Sequence, residues 1–114
     1  MKILDLLNNW RSQRGKALSL YKKGMAKANK QDYVNAITNY SDAFQTSEIP
    51  NDLKGMVLYN RALAYSAMNE DEKAAEDLEA MLKISGLPEN VKMAASRRRD
   101  RIRKRGERRD TPEE

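Results

Sequence analysis

The chain of 114 residues contains neither cysteine nor histidine. Their absence excludes disulfides, zinc sites of the usual kind, and serine–histidine, cysteine–histidine or histidine general-base catalysis. Cysteine-free chains occur in every compartment, so this does not fix a redox location. Five glycines and three prolines are too few for the turns of an all-β protein. No run approaches the roughly eighteen apolar residues of a membrane-spanning helix. The opening "MKILDLLNNW" has a short apolar patch interrupted by Asp5, Asn8 and Asn9, unlike a secretory signal. The expectation is a cytoplasmic protein with no membrane insertion.

What is present favours helix. Ala, Leu, Lys, Glu, Arg and Met are common, and all are good helix formers. With 39% hydrophobic and 34% charged residues, a thin helical assembly with much surface fits better than a compact α/β enzyme. The net charge is +5, unevenly placed: residues 97–109, "RRRDRIRKRGERR", hold nine basic and two acidic side chains, while the preceding 96 are nearly balanced. The Asp and Glu residues are expected on outward helix faces among basic neighbours. No catalytic residue is assigned, no metal ligand set is seen and no cofactor is implied.

An internal repeat organises the chain. "LYKKGMAKANKQDYVNAITNYSDAF" from Leu20 aligns with "LYNRALAYSAMNEDEKAAEDLEAML" from Leu58 at an offset of 38. The offset matches Tyr21 with Tyr59, Gly24 with Ala62, Asp32 with Glu70 and Ala36 with Ala74. It continues through "IPNDLK" (49–54) and "LPENVK" (87–92), so a third copy begins after Pro88. Each full copy reads as two helices around a polar break, with Asp32 as an N-cap. Tyr33, Ala36, Ile37, Tyr40, Ala43 and Phe44 form one amphipathic stripe; Ala74, Ala75, Leu78, Met81 and Leu82 form its counterpart. In the third copy Ser96, Arg97, Asp100 and Arg103 replace Leu58, Tyr59, Ala62 and Tyr65. That suits a terminal element apolar inside and polar outside, with Val91, Ala94, Ala95 and Ile102 inward.

These residues resemble the tetratricopeptide repeat (TPR) family, a helical pair with small and aromatic residues at fixed positions. Gly24, Tyr33, Ala36, Tyr40 and Ala43 carry the first copy; Tyr59, Ala62, Tyr65, Ala74 and Leu78 carry the second. The resemblance spans roughly residues 16–96. It implies an all-α, right-handed superhelix of two TPR helical hairpins with an N-terminal helix and a C-terminal basic capping helix. The expected divisions are an N-terminal amphipathic helix (1–15), a first repeat (16–49), a second repeat (54–86), the capping helix (89–105) and a polar tail (106–114). The resemblance also implies a concave groove that binds a protein or peptide segment. Its groove positions fall on Leu18, Tyr21, Met25, Ala28, Met56, Tyr59, Asn60, Leu63 and Ser66. One subclass clamps a partner's terminal carboxylate; Asn60 and Lys92 occupy clamp-like positions, but Tyr21, Met25 and Ser96 depart from that set.

Three features admit more than one reading. The tyrosines and methionines serve interhelix packing or a recognition surface, with Tyr21 and Tyr59 on the groove side. The stripe Ile3, Leu6, Leu7 and Trp10 belongs to a helix packed on the first pair or extending it, with Gly15 as a point of separation; otherwise it docks a partner or a second copy. Arg97, Arg98, Arg99, Arg101, Arg103, Lys104 and Arg105 cap the stack and pair with the acids of residues 70–83, or contact a polyanion such as nucleic acid, or meet an acidic protein. The preferred function is a small TPR adaptor or scaffold. The alternatives are a nucleic-acid or ribonucleoprotein accessory protein, which would bind in a salt-dependent way, and a self-assembling homo-oligomer.

Overall fold

The computed structural model describes residues 3–110, with side chains from Arg14 to Arg109. Regular structure among the described residues is wholly helical: α1 (Ile3–Asn29), α2 (Tyr33–Phe44), α3 (Asn51–Ala67), α4 (Asp71–Leu82) and α5 (Glu89–Asp110). The repeat offset reappears in the backbone. Both ends of α2 and α4, the ends of α1 and α3, and the starts of α3 and α5 all differ by 38. The turns match as well. Gln31 and Asn69 adopt left-handed φ values of 63° and 62°, and Glu48 and Gly86 follow at 59° and 83°. Each first helix is closed by a backbone bond across its left-handed residue: Asp32 N donates to Lys27 O and Glu70 N to Tyr65 O, both at 2.9 Å.

Local chemistry differs between the copies at the next helix start. The Asp32 carboxylate accepts from Asn35 Nδ2 at 2.8 Å and from Asn35 N at 3.4 Å, capping α2. The Asn35 side chain is the main cause that holds the Asp32 carboxyl below its ordinary value. Glu70, at the matching position, makes no side-chain cap.

Consecutive helices pack in sequence, α1 on α2 through α4 on α5, and α1 also touches α3. The first helices of the copies, α1, α3 and α5, therefore form one layer and α2 and α4 the other. This is an all-α, TPR-like arrangement of nested hairpins. Two apolar clusters fill it. Ala17, Tyr21, Ala36, Tyr40, Ala43, Leu53, Val57 and Ala64 form the first; Leu58, Ala62, Ala74, Leu78, Met81, Ala95 and Ile102 form the second. α3 contributes to both from opposite sides, and Phe44 packs against both. Leu58 and Leu78 are fully buried, each worth roughly 1.5–3 kcal/mol.

Three expectations change. Gly15 does not separate an N-terminal helix from the first repeat: α1 is continuous from Ile3 to Asn29. A Cβ at Gly15 would meet no neighbouring side chain within 4 Å, so no close approach calls for glycine there. The Ile3, Leu6, Leu7 and Trp10 stripe lies outside the residues whose side chains are described. α5 continues past 105 to Asp110, because Arg109 finds partners on the start of α4; residues 111–114 lie outside the described residues. Finally, two acids are not outward-facing. Asp71 and Asp77 are 8% and 6% exposed, each held by arginine.

Candidate functional site

The layer formed by α1, α3 and α5 presents a cleft between α3 and α5. It encloses about 490 Å³ and is floored by Met81 of α4. Gly55, Met56 and Tyr59 line one wall, Val91 and Ala94 the other, and Leu87 closes the end. The approach depends on Gly55: a Cβ there would sit 3.1 Å from Leu87 Cδ1. Met56 projects over the opening with 51% of its surface exposed. The repeat explains this geometry, since "IPNDLK" and "LPENVK" start α3 and α5 in the same way and set their first turns side by side.

The predicted groove residues do not all reach this surface. Met56, Tyr59 and Asn60 line the cleft. Leu18 and Met25, on α1, are 38% and 36% exposed farther along the same layer. Ala28, Leu63 and Ser66 are half-buried. Tyr21 is only 4% exposed and offers no contact surface. Its hydroxyl instead accepts from Asn60 Nδ2 at 3.0 Å, and Asn60 Nδ2 also donates to Met56 O at 2.8 Å. Asn60 thus braces α3 against α1 and is already engaged. Burial raises the Tyr21 hydroxyl above its ordinary range. Lys92 lies off the cleft wall, where Asn90, Val91 and Ala94 stand instead. Ala94, expected inward, is exposed at the cleft; Ala95 and Ile102 are the buried residues of α5.

α5 sorts its basic residues by face. Arg105 Nη2 donates to Asp71 Oδ1 at 2.7 Å and to Ser66 Oγ at 2.5 Å. Arg109 donates to Asn69 Oδ1 at 2.8 Å and pairs with Asp71. Arg103 binds Glu79, and Arg99 binds Asp100 at 3.2 Å. Arg98 is half-buried, and its Nε lies inside without a hydrogen-bond partner. Of these, Arg103, Arg105 and Arg109 fasten α5 to α4 and to the end of α3. Arg97, Arg101, Lys104 and Arg108 are different: all four are exposed and none takes part in a described hydrogen bond or ion pair. Spaced i, i+4, i+7 and i+11, they form one stripe. Asn90 and Ala94, two residues of the cleft wall, lie on the same stripe two turns and one turn earlier, respectively.

Sequence reasoning missed a buried junction. Arg61 donates from Nε and Nη2 to the two Asp77 oxygens at 2.8 and 2.6 Å, and from Nη1 to Ser41 Oγ at 3.1 Å. Its guanidinium also lies 5.6 Å from the Phe44 ring centre and 5.8 Å from that of Tyr65. It ties α2, α3 and α4 together behind the cleft. Hydrogen bonding to Asp77 raises its already high pKa. The repeat gave no signal for it, because the matching residues in the first copy are Lys23 and Asn39.

No helix among the described residues is long and apolar enough to cross a membrane. No family model and no solved structure matches the chain. The chain is similar to two proteins named photosystem I assembly protein Ycf3. One, from Parasynechococcus marenigrum (strain WH8102), is 36% identical over 56 residues, covering 49% of this chain and 32% of the relative. The other, from Synechococcus sp. (strain CC9902), is 34% identical over 62 residues, covering 54% and 35%. The chain thus spans about a third of the length of the relatives it matches, and with them and the fold together its architecture is that of a TPR-like helical repeat.

Proposed function

We propose that this chain is a small protein-interaction module, an adaptor or scaffold that holds a segment of another protein on the layer formed by α1, α3 and α5. The observation that carries the reading is the cleft between α3 and α5. It is apolar, within the size range of ligand pockets, and has an exposed methionine at its mouth. A flexible thioether adapts to varied apolar anchors, while Arg61 ties the α3 wall to Ser41 of α2 and Asp77 of α4. Both relatives are named for the assembly of photosystem I, a role in keeping with such a module.

The test is Met56→Glu. Met56 makes no side-chain hydrogen bond and is half exposed, so folding should survive the change. Tagged wild-type and variant proteins, expressed in the source cells, are compared by quantitative mass spectrometry of co-purifying proteins. The expected result is depletion of the specific partners by about tenfold, the effect of a charge placed in an apolar anchor site. Far-ultraviolet circular dichroism should be unchanged. Equal recovery of every partner with the variant would reject the cleft as the binding site.

A further inference from the structure

We infer that the segment held in this cleft is acidic as well as apolar: an apolar anchor enters between α3 and α5, and a following run of Asp or Glu lies along the free stripe of α5. This rests on the cleft reading above. Several observations lead to it. Among the described residues Arg97, Arg101, Lys104 and Arg108 are exposed and have no hydrogen-bond or ion-pair partner, although Asp71 and Glu79 of α4 hold Arg103, Arg105 and Arg109 of the same helix. Internal acids are therefore available to this helix, and the stripe is the face that they do not neutralise. The stripe is also continuous with the cleft, because Asn90 and Ala94 of the cleft wall lie on its line.

The geometry sets the direction and length of the ligand. From Arg97 to Arg108 the helix rises about 16 Å, room for three turns of an apposed helix or for a short extended run. At the other end of the cleft stands Asp52, largely exposed and paired at 3.8 Å with Arg14. An acid would be repelled there and attracted over α5. The anchor must therefore sit over Met56 and Tyr59, with the acidic part leading toward Arg108.

A nucleic acid would satisfy the charge alone. It would leave the apolar cleft unused, and α5 carries no aromatic side chain on which bases could stack. Charge complementarity beside an apolar anchor favours a protein segment.

The experiment measures fluorescence anisotropy of three labelled probes on the full chain, at low and high salt. The first probe is a synthetic peptide with Leu and Phe at one end and Glu at helical spacing over the remainder. The second replaces each Glu by Gln. The third is a short oligouridylate. The Glu peptide is expected to bind about tenfold tighter than the Gln peptide at low salt, an advantage that shrinks at high salt. The triple variant Arg97→Gln, Arg101→Gln, Lys104→Gln should remove that advantage and leave the Gln peptide unaffected. Ala94→Glu, at the cleft wall, should weaken both peptides. Circular dichroism and thermal melting establish that each variant is folded.

If the Glu peptide binds no more tightly than the Gln peptide, including the case in which neither binds, the inference is overturned. Equal binding of both peptides that Ala94→Glu abolishes would overturn the acidic assignment and leave the cleft reading standing. Tightest binding by oligouridylate, lost in the triple variant and kept in Ala94→Glu, would overturn the inference in favour of a nucleic-acid surface.

Discussion

Arg61→Ala should lower folding stability by about 3 kcal/mol, far more than the about 0–1 kcal/mol of an exposed ion pair. The difference lies in what is left behind. The Asp77 side chain is 8% exposed and that of Arg61 18%. Both Asp77 oxygens accept from Arg61, and among the described residues no other cation is paired with it. Removing the guanidinium strands a carboxylate away from water and also releases Ser41 Oγ and the faces of Phe44 and Tyr65. The cost is therefore mainly that of an uncompensated charge. Replacing both partners, as Arg61→Met with Asp77→Leu, should recover most of the loss because no charge remains stranded. Urea unfolding of the wild type, the two single variants and the double variant checks this. A loss below about 1 kcal/mol for Arg61→Ala would mean that water reaches Asp77 and screens it.

Gly24→Ala should destabilise the protein by about 1–2 kcal/mol even though alanine is the better helix former. A Cβ at Gly24 would lie 2.5 Å from Tyr40 Cε1 and 2.6 Å from Cδ1. Tyr40 cannot easily yield: it is 1% exposed, and its ring leans on Tyr21 with centroids 6.0 Å apart. Overpacking of this kind costs about 1–3 kcal/mol, against about 1 kcal/mol gained from propensity. The second copy shows the alternative solution, since Ala62 stands where the first copy has Gly24, and Leu78 where it has Tyr40. Tyr40→Leu should therefore make Gly24→Ala far less harmful, a coupling that thermal melts of the four proteins would reveal. Gly15→Ala serves as the contrast. Nothing lies within 4 Å of its new Cβ, so propensity acts alone and stability should rise by about 0.5–1 kcal/mol. If Gly24→Ala were equally stabilising, the close approach of α1 and α2 would not be what selects glycine there.

The sequence made the repeat legible because the same local signals occur twice at one spacing. Asp32 and Glu70 precede the second helices, and Pro50 and Pro88 precede the first helices that follow, so the order of elements could be read directly. The buried stripe of α2 was legible for a related reason: Ala36, Tyr40 and Ala43 recur at helical spacing and all are buried. What escaped depends on relations between helices. Arg61 and Asp77 look like solvated charges in a linear reading, and only the nesting of α3 on α4 brings them together. Tyr21 was read as a groove residue by position, but Asn60 draws its hydroxyl inward. Gly15 suggested a break that no neighbouring side chain imposes. The arginine-rich segment carried three readings from composition alone. In the structure Arg103, Arg105 and Arg109 fasten the helix, whereas Arg97, Arg101, Lys104 and Arg108 are exposed without a partner among the described residues.

The division of α5 also has a consequence for its mutants. Changes at Arg105 or Arg109 remove partners of Asp71, whose side chain is 8% exposed, and loosen the stack itself. Changes along the exposed stripe touch no internal partner, which is why they can report on binding without confounding it with stability.

The most direct measurement is amide chemical-shift mapping of the isotope-labelled chain titrated with the Glu peptide. The largest shifts should cluster at Gly55, Met56, Tyr59, Leu87, Val91 and Ala94 and continue through Arg97, Arg101 and Lys104. Shifts centred on the outer faces of α2 and α4, or none at saturating peptide, would contradict binding at this surface.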